Sequence, residues 1–487
     1  MQPSRIKKIK QLFWRRTKII ATLGPASNSE KKIADLIDAG ANIFRLNMSH
    51  GTHDEHRQLA ERIRKVSLLK STHVAILMDL CGPKIRVGEF EKGEIELKTG
   101  EEVVVSCLKK KGKPKLIPSQ YKNLYKDVKK NERILLDDGK LELKVKSIKN
   151  QDVICVVIYG GILKNKKGLN LPDSNISTKS FTAKDKKDTK LAIELKADFL
   201  ALSFVRDEKC ITTLKKYIKK LSGNIPVIAK IEKPEAVKNI ENILFHADGI
   251  MVARGDLGIE MLAQQVPLIQ KDLINKARLF GKPVIVATQM LESMIVSSKP
   301  TRAEVGDVAT AALSSTDAVM LSAETASGEF PVLAVKMMDQ ILREMEAYQW
   351  AHKKFGENEL DQLSSVDESV RKVISRSVKS LAHELKLQGI VVPTRSGSTA
   401  RVLSADRPHA PLIGVSSSEE VCRRLTLSWG VVPMYIKEKK TRNWQELCNK
   451  VAKNFGLNIM GNRVLLVSGF SDEAGLSEPT LKLIRIK

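Results

Sequence analysis

A lysine and a glutamate two residues apart close an apolar run, Pro226-Val-Ile-Ala-Lys230-Ile-Glu232. Period-two alternation puts Lys230 and Glu232 on one side of the strand that this run predicts. Downstream, Gly249-Ile-Met-Val-Ala-Arg254-Gly255-Asp256 carries a second carboxylate, again after an apolar run. An ammonium beside two hard oxygen donors suits an anionic, phosphate-bearing substrate held by a divalent cation, Mg²⁺ or Mn²⁺. Other apolar runs end in the same way: in Arg45, Asn47 and Ser49, in Asp79, in Thr288, and in Ser322 and Glu324. Taken singly, each could be a cap or a satisfied core polar group, and a lone Asn or Ser is more readily read so. Placed one or two per strand, they describe one site.

Eight apolar runs of strand length are predicted to position these groups: 18–23, 43–47, 74–79, 199–204, 227–230, 250–253, 284–288 and 318–322. Segments with helical periodicity separate them, as at 30–39, 55–69, 185–195, 211–221 and 266–280. Continuous apolar strands with helical crossovers imply a parallel sheet covered on both faces. Eight such units imply an α/β fold, a closed (β/α)8 TIM barrel, with chemistry at the C-terminal strand ends. The barrel is expected over 17–83 and 183–343. Residues 84–182 differ in texture, being Lys-rich with alternating β patterns, and are read as an inserted small β-barrel lid domain. Residues 344–487 hold further βα units and form a C-terminal α/β domain. The cluster at 356–368 reads as a surface connection. Residues 1–16 form an exposed basic extension.

The chain has 487 residues and a formal net charge of +26. The length prior is about three domains. The lysines are dispersed, with no basic helix interleaved with aromatics, so nucleic acid is not an expected partner. The longest apolar runs are strand-sized, and no membrane span is expected. Six cysteines at 81, 107, 155, 210, 422 and 448 lack CxxC spacing. They indicate neither a zinc site nor a disulfide framework and suit a reducing cytoplasm. His50, His53 and His56 open a helix without an acidic partner, and Cys81 is read as an inert thiol.

Arg254-Gly-Asp-Leu-Gly258 follows a predicted strand, where free N–H groups at a helix start bind an anion; a plain tight turn is the alternative. A second cradle is Pro393-Thr394-Arg395-Ser396-Gly397-Ser398-Thr399-Ala400, with hydroxyls and N–H groups after a strand.

At this point the chain resembles the pyruvate kinase family over nearly its whole length. Arg16-Thr-Lys-Ile-Ile-Ala-Thr-Leu-Gly24-Pro25, Arg45-Leu-Asn-Met-Ser-His50-Gly, Asp79-Leu-Cys-Gly-Pro-Lys84-Ile-Arg86, Lys166-Lys167-Gly-Leu-Asn-Leu-Pro172, Ala253-Arg-Gly-Asp-Leu-Gly258, Ala287-Thr-Gln-Met-Leu-Glu-Ser-Met294 and Leu321-Ser-Ala-Glu-Thr325 resemble family motifs in order. The resemblance implies transfer of a phosphoryl group from phosphoenolpyruvate to ADP, giving pyruvate and ATP, in a cytoplasmic homotetramer. It implies Lys230 and Arg45 at the phosphate, and Glu232 and Asp256 on the divalent cation. Gly255, Asp256 and Thr288 would meet the substrate carboxylate, with Thr288, Ser322 and Glu324 in a proton relay. Asn47, His50, Arg86 and Lys167 would meet nucleotide phosphates.

One departure stands out. The family's monovalent-cation site maps to Asn47, Ser49, Asp79 and Leu80, but Lys84 stands where K⁺-dependent members resemble one another in having Glu. An ammonium there implies activity largely independent of K⁺. Thr394, Arg395, Ser396 and Thr399 match an effector-phosphate loop. The acidic closing loop with Asp472 and Glu473 favours a monophosphate effector (AMP, ribose 5-phosphate or glucose 6-phosphate) over a bisphosphate. A barrel lyase or aldolase acting on pyruvate or phosphoenolpyruvate, and a non-catalytic binding protein, are the rival readings.

Overall fold

The computed structural model describes residues 15–108, 111–174, 176–352, 355, 370–437, 443–457, 462–470 and 478–486. Eight parallel strands close a barrel in chain order: β1 (Lys18–Thr22), β2 (Ile43–Asn47), β3 (Ala75–Asp79), β4 (Phe199–Leu202), β5 (Val227–Ile231), β6 (Gly249–Ala253), β7 (Val284–Ala287) and β8 (Ala318–Leu321). All eight runs expected from the sequence are present. Their alternate side chains serve two cores, which is why the runs are apolar throughout. Ile19 and Ala21 face the helices, while Ile20, Ile43, Leu77, Ile228 and Met251 fill the barrel interior. Leu427 of the C-terminal domain completes that interior core. The crossover helices start on side-chain caps, as at Ser29 before Glu30–Ala39 and Thr52 before His53–Leu69. Each hydroxyl satisfies a backbone N–H that the first turn leaves unpaired.

The insertion follows β3. It has a six-stranded sheet and two two-stranded ladders around one apolar core. Among the described residues these ladders do not join into the closed ring expected of a β-barrel. Asn170 ties the insertion to the barrel mouth, donating to Glu260 Oε1 at 2.9 Å. Glu260 in turn accepts from Lys233 Nζ at 2.5 Å.

The C-terminal domain carries a five-stranded sheet in the order 431–435, 412–416, 389–393, 463–468, 480–485, the last strand antiparallel. It docks on the N-terminal ends of the barrel strands. Arg407 Nη2 reaches Asp317 Oδ2 at 2.8 Å and Ser315 O at 2.8 Å, and Asp317 Oδ1 accepts from Trp429 N at 3.0 Å. Removing one member of such a buried pair costs about 3–5 kcal/mol. The connection at 356–368 lies outside the described residues.

Arg15 and Arg16 correct the expectation of an exposed extension over 1–16; residues 1–14 lie outside the described residues. Both arginines are buried. The backbone N–H groups of Arg16 and Thr17 donate to the buried Glu346 carboxylate at 2.6 and 2.7 Å. These orphan donors at the chain's entry to β1 need an acceptor, and Glu346 supplies it from the helix Pro331–Ala351. The adjacent Lys18 donates to Val431 O of the C-terminal domain at 2.7 Å. Burial, with repulsion from Arg15, pushes the Lys18 ammonium down to about 7 from 10.5. The unfolded chain then holds this proton more tightly than the folded one between those values. Stability therefore rises with pH from about 7 to about 10.5 and is flat above. Lys18→Met should rise less in melting temperature than the unsubstituted protein between about pH 7 and pH 9.5. Equal slopes in a thermal-melt series would exclude this role for Lys18.

Candidate active site

The ends of five strands, β1 to β5, converge around one ammonium. Lys230, near the end of β5, donates to Ser203 Oγ at 2.8 Å, lies 2.9 Å from Glu232 Oε1 and 3.4 Å from Asp79 Oδ1. Arg45 on β2 donates through Nε to Asp79 Oδ2 at 2.7 Å, and through Nη1 to Thr22 Oγ1 of β1 at 3.2 Å. Ser203 Oγ in turn donates to Leu80 O at 2.8 Å.

Burial alone would depress Lys230, but the charges of Asp79 and Glu232 outweigh it and hold its pKa above the ordinary value. Burial alone would raise Asp79, and Lys230 and Arg45 overcome that to hold it low. Glu232 moves the other way. Burial raises it, Asp256 raises it further, and Lys230 only partly offsets them. Arg45, Lys230, Asp79, Glu232 and Asp256 carry a formal excess of one negative charge, and that excess falls on the Glu232–Asp256 side. Glu232 Oε1 is buried with Lys230 Nζ at 2.9 Å. A second carboxylate, Asp256, beside a buried one costs free energy that a bound divalent cation relieves. The donor set, two carboxylates beside an ammonium, fits such a cation at Glu232 and Asp256.

The backbone around this cluster is held in unusual conformations. Phe204, Thr288 and Gln289 have φ of 53°, 70° and 53°, a region that non-glycine residues seldom occupy. Each is fixed from outside. Phe204 N donates to Glu232 Oε2 at 2.6 Å. Arg254 Nη2 donates to Thr288 O at 2.9 Å and Gln289 O at 2.6 Å. Gly82 is also left-handed, and a Cβ there would meet Phe204 Cδ2 at 2.9 Å. The seven-residue helix Arg254–Glu260 starts directly after β6. Gly255 N donates to Thr288 Oγ1 at 2.7 Å, joining two of the groups singled out from the sequence.

The remaining sequence candidates divide. Glu324 is buried and bonded by the N–H groups of Ser322 (2.7 Å) and Leu291 (3.3 Å), so it orders the ends of β8 and of the 288–291 loop. Asn47 Oδ1 accepts from Ser49 N at 3.1 Å, and His50 offers its carbonyl to His56. His53 pairs with Asp188 at 2.8 Å, which corrects the expectation of no acidic partner for this histidine run. Arg86 and Lys167 lie together at the root of the insertion. Arg86 bridges to Gly168 and donates to Lys166 O, while Lys167 pairs with Asp137 at 2.8 Å. Asp79 and Leu80, expected in a monovalent-cation site, are bonded to Arg45 and to Ser203. Lys84 is exposed and makes no ion pair among the described residues. Its stem faces a small recess shared with Lys233 and Asp256.

Several contributors went unnoticed in the sequence. Ser203 and Thr22 sit where strand alternation would have put them, but a lone Ser or Thr at a strand end is common. Lys233, Glu260 and Arg254 act through partners distant in sequence.

Far from the barrel mouth, Gly397 (φ 85°) turns the 394–399 loop so that its N–H meets Thr394 Oγ1 at 2.9 Å. Ser398–Ala405 then forms a helix. Arg395 and Ser396 are exposed, whereas Thr399 is buried against Phe470 O. Asp472 and Glu473 lie outside the described residues.

Fold and site together define a (β/α)8 enzyme built to hold an anionic substrate beside a cation. Residues 14–335 match the family model described as pyruvate kinase, barrel domain, and residues 372–484 match that described as pyruvate kinase, alpha/beta domain. The chain is 45% identical over 429 residues to a pyruvate kinase of Staphylococcus aureus (strain MRSA252), covering 88% of this chain and 73% of that one. The pyruvate kinase of strain USA300 matches to the same extent. A pyruvate kinase structure from Cryptosporidium parvum superposes with a TM-score of 0.89 at 32% identity, over 97% of this chain and 96% of that chain. The chain belongs to the pyruvate kinase family. It is a phosphotransferase that converts phosphoenolpyruvate and ADP to pyruvate and ATP, and its family uses a divalent metal. The lyase and binding-protein readings are set aside. No helix among the described residues is long and apolar enough to cross a membrane.

Ser203→Ala removes a hydrogen bond to a charged group, worth about 1.5–3 kcal/mol. It should lower kcat about ten- to hundred-fold with little change in melting temperature. An unchanged kcat would show that Ser203 does not orient Lys230.

Proposed function

We propose that phosphoryl transfer in this chain rests on Lys230, supported by the bonds that hold its ammonium between Asp79, Glu232 and Ser203 at the barrel mouth. Its ammonium neutralises charge developing on the transferring phosphoryl group, a fixed-dipole effect that needs no reorganisation at the moment of reaction. Arg45, oriented by Asp79 and Thr22, grips the same phosphate. Glu232 and Asp256 would hold Mg²⁺ or Mn²⁺. When bound, that cation neutralises substrate charge and fixes the phosphate relative to the protein. Gly255, Asp256 and Thr288 receive the substrate carboxylate. Thr288 lies near the enol methylene and serves its protonation in a water-linked relay with Ser322 and Glu324. Asn47, His50, Arg86 and Lys167 receive the nucleotide phosphates, and closure of the insertion over the mouth excludes water.

Lys84 supplies in this reading the positive charge that K⁺ brings to other members, through the site formed by Asn47, Ser49, Asp79 and Leu80. Its exposure and lack of an ion-pair partner among the described residues support this. The 394–399 loop takes the phosphate of an activating sugar monophosphate or AMP. The chain works as a cytoplasmic homotetramer, in keeping with six free thiols.

The direct test is pyruvate formation from phosphoenolpyruvate, ADP and Mg²⁺ in Na⁺ or Tris buffer, with and without K⁺. Comparable turnover in both is expected, and turnover only with K⁺ removes the role of Lys84. Lys84→Glu should lower activity in a way that K⁺ partly restores. In a thermal-shift panel, a monophosphate should stabilise more than fructose 1,6-bisphosphate, and the reverse order would remove the monophosphate preference.

A further inference from the structure

Of the histidines at positions 50, 53 and 56, two have no part in the chemistry described above. His56 lies in the first turn of the helix His53–Leu69 and is buried, whereas the His50 side chain is exposed beyond the end of β2. Nε2 of His56 lies 3.0 Å from the His50 carbonyl oxygen. A carbonyl can only accept, so this nitrogen carries the ring proton. Nδ1 is buried with no hydrogen-bond partner among the described residues. A second ring proton there would find no acceptor, and burial holds the His56 pKa below its ordinary value despite His50 O and Asp188. The ring is therefore a neutral donor in one fixed tautomer. It loses its hydrogen bond if the His50 carbonyl moves, which makes it a restraint on that carbonyl.

The rest of the 47–53 segment is held from elsewhere. Met48 O accepts from Lys184 Nζ at 2.5 Å. Lys184 also donates to the buried Asp188 Oδ2 at 2.6 Å, and Asp188 Oδ1 meets His53 Nε2 at 2.8 Å. Both Lys184 and Asp188 lie on the helix Ala183–Glu194, which follows the insertion. Between these anchors, the His50 backbone donates to Asn47 O at a long 3.2 Å and accepts from His56. The loop also lies close on the helix. Gly51 has a left-handed φ of 74°, and a Cβ there would stand 3.1 Å from Glu55 Oε2 and 3.5 Å from His56 Nε2. A side chain at 51 would push the loop off the ring.

We infer that His56 is a positioning residue for ADP: by holding the His50 carbonyl, it sets where the exposed His50 ring stands to meet a nucleotide phosphate. The inference rests on the reading of Asn47 and His50 as nucleotide contacts. His56 itself does not touch the nucleotide. It acts through the backbone of one loop, so its loss falls on ADP and not on phosphoenolpyruvate, which the Lys230–Arg45 cluster holds. What the loop needs is an N–H donor at that reach, not an imidazole as such.

The test is steady-state kinetics of the full-length protein with Mg²⁺ and K⁺, varying ADP at saturating phosphoenolpyruvate and then the reverse. His50→Ala tests the nucleotide reading itself. It should raise the KM for ADP, and an unchanged value would overturn both that reading and the inference. His56→Leu should raise the KM for ADP about three- to tenfold, the effect of one hydrogen bond, with kcat and the KM for phosphoenolpyruvate within about twofold. A glutamine places its amide N–H near the position of Nε2, whereas an asparagine is too short. His56→Gln should therefore keep the KM for ADP within about twofold of the unsubstituted protein, while His56→Asn behaves as His56→Leu does, at a melting temperature similar to that of His56→Gln. With His50→Ala impaired, an unchanged KM for ADP in His56→Leu and His56→Asn would overturn the role of His56 alone. Failure of His56→Gln to restore the KM for ADP, or an equal rise in both KM values, would show a packing role and overturn it as well.

Discussion

The interaction on which the site depends is the burial of Lys230 among carboxylates. An ammonium removed from water is tolerable only if opposite charges and hydrogen bonds replace its hydration. Here Asp79 and Glu232 provide the charge and Ser203 the acceptor. The compensation is incomplete on the Glu232 side, where burial and the negative charge of Asp256 outweigh Lys230. In the proposed function, cation and phosphate binding are two sides of one imbalance: the surplus carboxylate charge would take a metal, and Lys230 with Arg45 would present positive charge to the phosphate.

The barrel makes this imbalance affordable to position. Each strand contributes one or two groups, so no single loop has to hold the whole cluster. The cost appears instead as backbone strain at Phe204, Thr288 and Gln289, held in place by Glu232 and Arg254. Such strain persists only where surrounding bonds over-determine it. Arg254 is therefore a positioning residue: it fixes the carbonyls of Thr288 and Gln289, and Thr288 in turn receives the Gly255 N–H. The Asn170–Glu260–Lys233 chain brings the insertion to the far end of the same short helix.

Much of this was legible in the sequence because strand burial on both faces makes uninterrupted apolar runs, and a polar residue ending such a run is conspicuous. Lys230, Glu232, Asp79 and Arg45 announced themselves in that way. Ser203 and Thr22 did not, since a hydroxyl at a strand end carries no distinctive signal until its partner is known. Arg15 and Arg16 misled because a basic terminal stretch reads as solvated. Their acceptors lie far off in sequence: Asp339 and Gly40 O take the Arg15 guanidinium, and Glu346 takes the Arg16 N–H. The antiparallel strand 480–485 was missed for a related reason: its side chains are largely exposed, so it lacks an apolar run.

Mn²⁺ binding to the protein, followed by electron paramagnetic resonance, bears most directly on the charge imbalance at Glu232 and Asp256. The account predicts that Glu232→Gln weakens Mn²⁺ at least a hundredfold, while Lys230→Met, which removes the opposing ammonium, retains or tightens it. Unchanged Mn²⁺ affinity in Glu232→Gln, or loss of Mn²⁺ in Lys230→Met with the fold intact, would contradict it.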